Sequence, residues 1–209
     1  MIPFTKAHGA RNDFLLTWAH EAPAEAYLQA AARAICDRHA GVGADGWLLV
    51  KPPSHGAPAA IRLFNSDGSE AEISGNGTRC AAAFLCDAGL AGPEVDIGTG
   101  AGVKRLRLLA RHGMRFEFEM DMGAVRILPE EIRVTLETVG RALDCTLAWP
   151  GNPQCAVFVE EIPPDWEKLG AALESHPRFP NRTNVSFVKV LDAANLEVRF
   201  YERGAGVTL

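Results

Sequence analysis

The sequence predicts an α/β protein made of two similarly built halves. Three observations predict it. Apolar residues alternate between stretches of period about two and stretches of period about 3.6 along the chain. The same order of elements begins again after about Gly123. And 209 residues, 47% hydrophobic and 22% charged, suffice for one large core or two small ones.

The elements follow in order. Residues 2–17 alternate loosely and read as two strands broken at His8-Gly9-Ala10-Arg11-Asn12. Pro23 opens a helix over 24–38, because Tyr27, Leu28, Ala31, Ala34 and Ile35 recur at helical spacing. Trp47-Leu48-Leu49-Val50 and Ile61-Arg62-Leu63-Phe64 read as strands around a Pro/Gly-rich loop over 52–58. The turn Ser74-Gly75-Asn76-Gly77 leads into a helix over 78–88 that is too apolar to lie on a surface. Residues 103–109 and 114–120 read as a hairpin, with Met114, Phe116, Phe118 and Met120 alternating with charged residues.

The restart is visible in spacing. Gly151-Asn152-Pro153 before Ala156-Val157-Phe158-Val159 mirrors Arg11-Asn12-Asp13 before Phe14-Leu15-Leu16. A helix over 166–175 ends at His176 as the earlier one ends near His39, residues 184–190 mirror 45–50, and Val198 to Glu202 mirrors Ile61 to Asn65. The offsets from Asn12 to Asn152, His39 to His176 and Asn65 to Glu202 are 140, 137 and 137 residues. Near-constant offsets favour a duplication over shared element order by chance. The expected division is therefore 1–123 and 124–209. The counterpart of Ser74 would fall near residue 211, past Leu209, so the second half is expected to lack the turn and buried helix of the first.

Composition narrows the function. A net charge of −5 with scattered lysines and arginines offers no basic stripe for nucleic acid. No run approaches the roughly 20 apolar residues of a membrane span. The opening MIPFTKAHGARNDF has no basic-then-apolar signal region. Five cysteines, an odd number placed mostly in apolar runs, read as reduced thiols. These points lead us to expect a cytoplasmic protein.

Two glycine patterns read as something other than nucleotide sites. Gly41-Val42-Gly43-Ala44-Asp45-Gly46 has the dinucleotide spacing, but a helix precedes it and a strand follows, the reverse of what pyrophosphate binding requires. Gly98 to Gly102 reads as a turn between strand-like runs. The acidic stretch 67–72 lacks calcium-loop glycine spacing, and the six histidines show no metal-ligand spacing, so no metal is expected. The stretch from Asn65 through Ser74-Gly75-Asn76-Gly77 to Cys80 is more informative. Glycines there let backbone approach a ligand, and free helix-start amides can hold a carboxylate. The same residues equally suit a turn capped by Ser74 or Asn76.

Six stretches in order carry a resemblance. Lys6 to Phe14 resembles KMHGLGNDF, Asp37 to Gly46 resembles DRHxGIGADG, and Phe64 to Cys80 resembles FNADGSEAExCGNGARC. Gly151-Asn152-Pro153 is similar to GNPH and Phe179 to Phe187 to FPNRTNVxF. Tyr201 to Leu209 is similar to YERGxGxTxACGTG, stopping before its cysteine. These are motifs of diaminopimelate epimerase and its superfamily, and together they span the chain.

The resemblance implies two pseudo-symmetric domains, each a mostly antiparallel sheet wrapped round a central helix, with the ligand in the cleft between them. It implies epimerisation of LL-diaminopimelate to the meso form without cofactor or metal, in lysine and peptidoglycan precursor synthesis. In the family two cysteines at helix N-termini handle the α-proton on opposite faces. Ser74 stands at the first of these positions, and the second lies beyond Leu209. Asn12, Asn65, Gly75, Asn76, Asn152, Asn184, Glu202 and Arg203 match substrate-binding positions, Gly75 and Asn76 through amides for the α-carboxylate. Gln154, where the family carries histidine, and Glu202 match positions that tune the catalytic thiols. A homodimer is the assembly to expect.

The departures bear on activity. A helix-start thiol ionises near neutral pH, whereas a hydroxyl stays weak unless a neighbouring base activates it. With Ser74, Gln154 and the second position past Leu209, little turnover is expected of the chain alone. Two alternatives stay open: another cofactor-independent racemase or isomerase, of the proline, histidine or phenazine-precursor type, and a catalytically inactive binding module.

Overall fold

The computed structural model describes residues 1–54 and 56–208. His55, inside the stretch read as a loop over 52–58, and Leu209, the last residue of the closing motif, lie outside the described residues. The chain forms two compact units, Met1–Met122 and Gly123–Leu209.

The first unit is built from β1 (Thr5–Gly9), β2 (Asn12–Trp18), α1 (Leu28–Cys36), β3 (Gly46–Lys51), β4 (Ala59–Asn65), β5 (Glu70–Ala71), α2 (Gly75–Asp87), β6 (Glu94–Thr99), β7 (Gly102–His112) and β8 (Arg115–Met120). Its eight-stranded sheet runs β1-β2-β3-β4-β6-β7-β8, with β5 on β4. Only β2–β3 and β4–β6 are parallel.

Period-two patterning decides what each face covers. Phe14, Leu16, Leu48, Val50, Ile61 and Leu63 point to α2, where Cys80, Ala81, Ala82 and Leu85 meet them. Leu15, Trp47, Leu49 and Phe64 point the other way, onto Leu28, Ala32 and Cys36 of α1. Both faces are buried, which is why β3 reads as a continuous apolar run. The small residues of α2 let strands approach closely, and α2 touches β1, β2, β3, β4, β6 and β8, so the sheet curls round it. A Cβ on Gly77 would sit 3.3 Å from Ser74 Cβ and 3.4 Å from Leu48 Cδ1, so the first turn of α2 needs glycine to rest on the sheet.

The second unit contains β9 (Val134–Thr138), β10 (Arg141–Ala148), β11 (Gln154–Phe158), α3 (Trp166–Glu174), β12 (Asn184–Val190), β13 (Leu196–Glu202) and β14 (Gly206–Thr208). Its sheet runs β14-β13-β12-β11-β10-β9, and only β11–β12 is parallel. Cys145, Leu147, Cys155, Val157, Val185 and Phe187 pack on Leu169 and Leu173 of α3.

The two sheets repeat one another in register. Shifts of 140 and 138 residues carry the parallel pair Phe14–Gly46 onto Gln154–Asn184. A shift of 137 carries Leu63–Ala71 onto Phe200–Thr208. A one-residue slip would turn every side chain to the other face, so agreement at this level is a strong sign of shared construction. The same shifts carry Trp18, Ala59 and Leu63, which pack beneath α2, onto Phe158, Leu196 and Phe200. Those three are 58%, 58% and 41% exposed, and among the described residues no helix of the second unit covers them.

Some expectations need correction. The α2 helix begins at Gly75 rather than 78, because Ser74 caps it and Gly75-Asn76-Gly77 form its first turn. The α1 helix is confined to Leu28–Cys36, preceded by a 3-10 turn at Glu25–Tyr27. It stops because Asp37 turns extended and its carboxylate accepts from the amides of His39 and Ala40. Strands β5, β6, β9, β10 and β14 were not resolved individually by the sequence pattern. Among the described residues no helix is long and apolar enough to cross a membrane.

Candidate active site

At the mouth of α2, Ser74 has extended backbone, and its Oγ accepts from the Gly77 amide at 3.1 Å. Thr78 Oγ1 donates to the Ser74 carbonyl at 2.7 Å, holding the residue from the other side. The first-turn amides of Gly75 and Asn76 have no acceptor within the helix, and the helix dipole adds positive potential there. A carboxylate fits that end. Among the described residues no basic side chain lies within hydrogen-bond distance of Ser74 Oγ, so nothing draws its proton away. Burial pushes the thiol of Cys80, further along α2, up to about 12.

Asn12 sits beside this mouth. Asn76 Nδ2 donates to Asn12 Oδ1 at 3.3 Å, and Asn12 Nδ2 donates to Asp45 Oδ2 at 2.8 Å. Arg79 donates in turn to Asn76 Oδ1. Asn12 is 2% exposed, so its amide orients Asn76 and has little surface of its own to offer a ligand. Gly9 of β1 makes the approach feasible, since a Cβ there would lie 3.3 Å from Asn76 Cβ. Asn65, at the end of β4, pairs with Gly46 across the ladder and donates its side chain to Ser69 Oγ at 3.1 Å. It lies at the same end of the sheet as Asn12.

Beneath these residues is an ionic network. The Asp45 amide donates to Asp13 Oδ1 at 3.0 Å and the Asp13 amide to Asp45 Oδ2 at 3.1 Å. Arg38 reaches both carboxylates, at 2.7 Å and 2.8 Å, and Lys6 reaches Asp13 at 3.0 Å. Burial alone would raise the Asp13 carboxyl. The hydrogen bonds from Arg38, Lys6 and the Asp45 backbone outweigh it and hold the group well below the usual carboxylate range.

The second unit gathers its own polar set at the matching end of its sheet. Gln154 Nε2 donates to Asn152 Oδ1 at 2.8 Å. The Arg203 amide donates to Asn184 Oδ1 at 2.9 Å, Asn184 Nδ2 donates to the Pro153 carbonyl at 3.3 Å, and Arg203 Nη1 to the Asn181 carbonyl at 3.2 Å. Glu202 pairs with Gly206 at the start of β14. Asn152 is equivalent to Asn12 by the 140-residue shift but stands outside the ladder, because Pro153 has no N–H to extend it. Gln154 has no titratable group. Its side chain holds the Asn152 amide instead.

The family model described as diaminopimelate epimerase matches residues 4–128 and 146–209. "Diaminopimelate epimerase 1" of Nostoc sp. is 40% identical over 224 aligned residues, covering all of this chain and 79% of the relative. The diaminopimelate epimerase of Moorella thermoacetica is 39% identical over 218, covering 99% and 78%. The chain belongs to the diaminopimelate epimerase family. Among solved structures, a probable proline racemase from Agrobacterium radiobacter K84 aligns with a TM-score of 0.75 at 17% identity, covering 99% of this chain and 72% of that one. A hydroxyproline epimerase from Agrobacterium vitis aligns at 0.73 and 17%, covering 98% and 71%. At that identity they bear on fold only, and they agree with an epimerase-like α/β architecture. The unmatched stretch between the two parts of the family match contains β9 and the first half of β10.

Asp13, Arg38 and Asp45 are the contributors that motif reading passed over. The motifs that contain them assign them no task. The signal was available in Asp13 directly after Asn12, and in the run from Asp37-Arg38 to Asp45 facing it across β2–β3.

Proposed function

We propose that this member of the diaminopimelate epimerase family binds diaminopimelate and moves the proton at its Cα without cofactor, converting the LL to the meso form for lysine and peptidoglycan precursor synthesis. The observation that carries the reading is sequence identity near 40% to enzymes of that name along the whole chain. The local geometry supports it. An α-proton is a very weak acid, so the developing charge needs fixed donors, and the first-turn amides of Gly75 and Asn76 are such donors for the α-carboxylate. Asn12 and Asp45 keep Asn76 in place for that task. Asn65, Asn152, Asn184, Glu202 and Arg203 serve the amine and carboxylate groups, with Gln154 orienting Asn152. Ser74 is the proton-handling group on one face. Residues 1–123 and 124–209 are two epimerase-like domains in this reading, which also takes the protein to be a cytoplasmic homodimer.

A second reading is favoured by one observation. Ser74 Oγ is engaged as a helix cap and has no base beside it, which suits a protein that binds the amino acid and turns it over poorly. Calorimetry with LL-diaminopimelate and L-proline tests the substrate class shared by both readings. Diaminopimelate is expected to bind, with Asn152→Ala weakening it about tenfold through a lost hydrogen bond to a charged group. Binding of proline in preference would move the protein to the proline-type racemases.

A further inference from the structure

A pocket of about 410 Å³ opens on the second unit, and the diaminopimelate reading shares only Gln154 with its lining. One wall is an isolated antiparallel bridge between Arg126 and Trp149, which exchange both main-chain hydrogen bonds, at 3.2 Å and 2.9 Å. Residues paired this way stand directly opposite with side chains on the same face, so a guanidinium lies beside an indole. Trp149 is 50% exposed. The other wall is the loop between α3 and β12. The Phe179 amide donates to the His176 carbonyl at 2.8 Å and the Arg182 amide to the Phe179 carbonyl at 2.9 Å, so successive turns brace it. Phe179 is anchored in the second core, and Glu174 holds the Arg182 guanidinium at 3.1 Å. The pocket is therefore shaped in advance of any ligand.

Its charges are unbalanced. The guanidiniums of Arg126 and Arg178 have no acidic partner among the described residues, and Glu131, the one acid in the lining, pairs with neither. This local excess of positive charge stands in a chain of net charge −5. An indole half in water, in a pocket with two unpaired cations, leaves apolar surface exposed and positive charge uncompensated, and a flat, negatively charged ligand relieves both. We propose that this pocket binds a small organic anion bearing an aromatic ring, the ring against Trp149 and the anionic group between Arg126 and Arg178. The volume, near the lower end for ligand sites, suits one ring system with one anionic group. A guanidinium pairs bidentately with phosphate or carboxylate, so either can supply the charge.

The test is calorimetric titration of the whole chain with four probes: AMP and 4-hydroxybenzoate as ring-bearing anions, adenosine as a ring without charge, and inorganic phosphate as charge without a ring. At least one ring-bearing anion is expected to bind with a Kd of about 1 mM or tighter, and adenosine and phosphate about tenfold or more weakly. Comparison of AMP with 4-hydroxybenzoate tells which anionic group the arginines prefer. Trp149→Ala and the double change Arg126→Gln with Arg178→Gln should each weaken the bound anion about tenfold, which corresponds to about 1.4 kcal/mol. Diaminopimelate affinity should be unaltered in both variants, which separates this site from the amino-acid site. Absence of binding by both ring-bearing anions at about 10 mM would overturn the assignment. So would phosphate binding as tightly as the better of them, or affinities indifferent to these substitutions.

Discussion

Asn12 shows how a single amide can be committed on both sides. Its Oδ1 accepts from Asn76 and its Nδ2 donates to Asp45, at 2% exposure. Asn12→Ala would leave Asp45 with one partner fewer and the Asn76 side chain held by Arg79 alone. We expect a loss of about 1–3 kcal/mol by urea unfolding, the usual cost of leaving buried polar groups unmade, together with weaker diaminopimelate binding. Asp13 predicts a pH effect with a definite sign. Its folded carboxyl lies below the ordinary value of 3.8 because the bonds from Arg38, Lys6 and the Asp45 backbone outweigh burial. The unfolded chain therefore binds the proton more readily, and this contribution is complete above pH 3.8 and lost as pH falls through the lower folded value. In Asp13→Asn that loss should vanish. The variant should be less stable than the parent at neutral pH, and the difference between them should narrow in acid, read from denaturant midpoints at each pH.

At the scale of elements, α3 resembles α1 in carrying one apolar stripe onto a sheet, and its contact with β13 is tight. A Cβ on Gly170 would lie 2.8 Å from Tyr201 Cβ. In an exposed helix alanine would gain up to about 1 kcal/mol over glycine. Here the clash is with a side-chain stem that cannot swing away, so Gly170→Ala should be destabilising by roughly 1–3 kcal/mol in thermal unfolding. Elements with strong periodicity were legible in the sequence: β2, β3, β4, α2, the β7–β8 hairpin, α3 and β12 all fall where the pattern puts them, within a few residues. The others had a physical reason to escape notice. β5 and β14 have two and three residues, too short for any period. In β9, Val134, Leu136 and Thr138 alternate with Thr135 and Glu137, a pattern softened by threonine on both faces. The early start of α2 escapes the pattern because Gly75 and Gly77 read as turn residues, whereas both are helical and Gly77 lets the first turn rest on Phe14 and Leu48.

For the whole molecule, spacing anticipated the strongest structural regularity. A near-constant offset between asparagines, histidines and strand motifs anticipated two sheets whose matched strands pair in the same register. Motif identity points to these polar positions, but not to the way their side chains are held. That Asn12 is a brace for Asn76, and that Gln154 bonds Asn152, depends on side-chain direction, which no linear pattern encodes. In the proposed function Ser74, at the mouth of α2, handles the α-proton of diaminopimelate beside the amides of Gly75 and Asn76. Deuterium incorporation at Cα, followed by NMR in D2O, tests it most directly. The unaltered protein should exchange slowly. Ser74→Cys should exchange about 10²-fold faster or more, because a helix-start thiol ionises readily and a positioned acid–base group contributes on that order. Ser74→Ala should fall to the rate in buffer. An alanine variant that exchanges as fast as the unaltered protein would contradict the account.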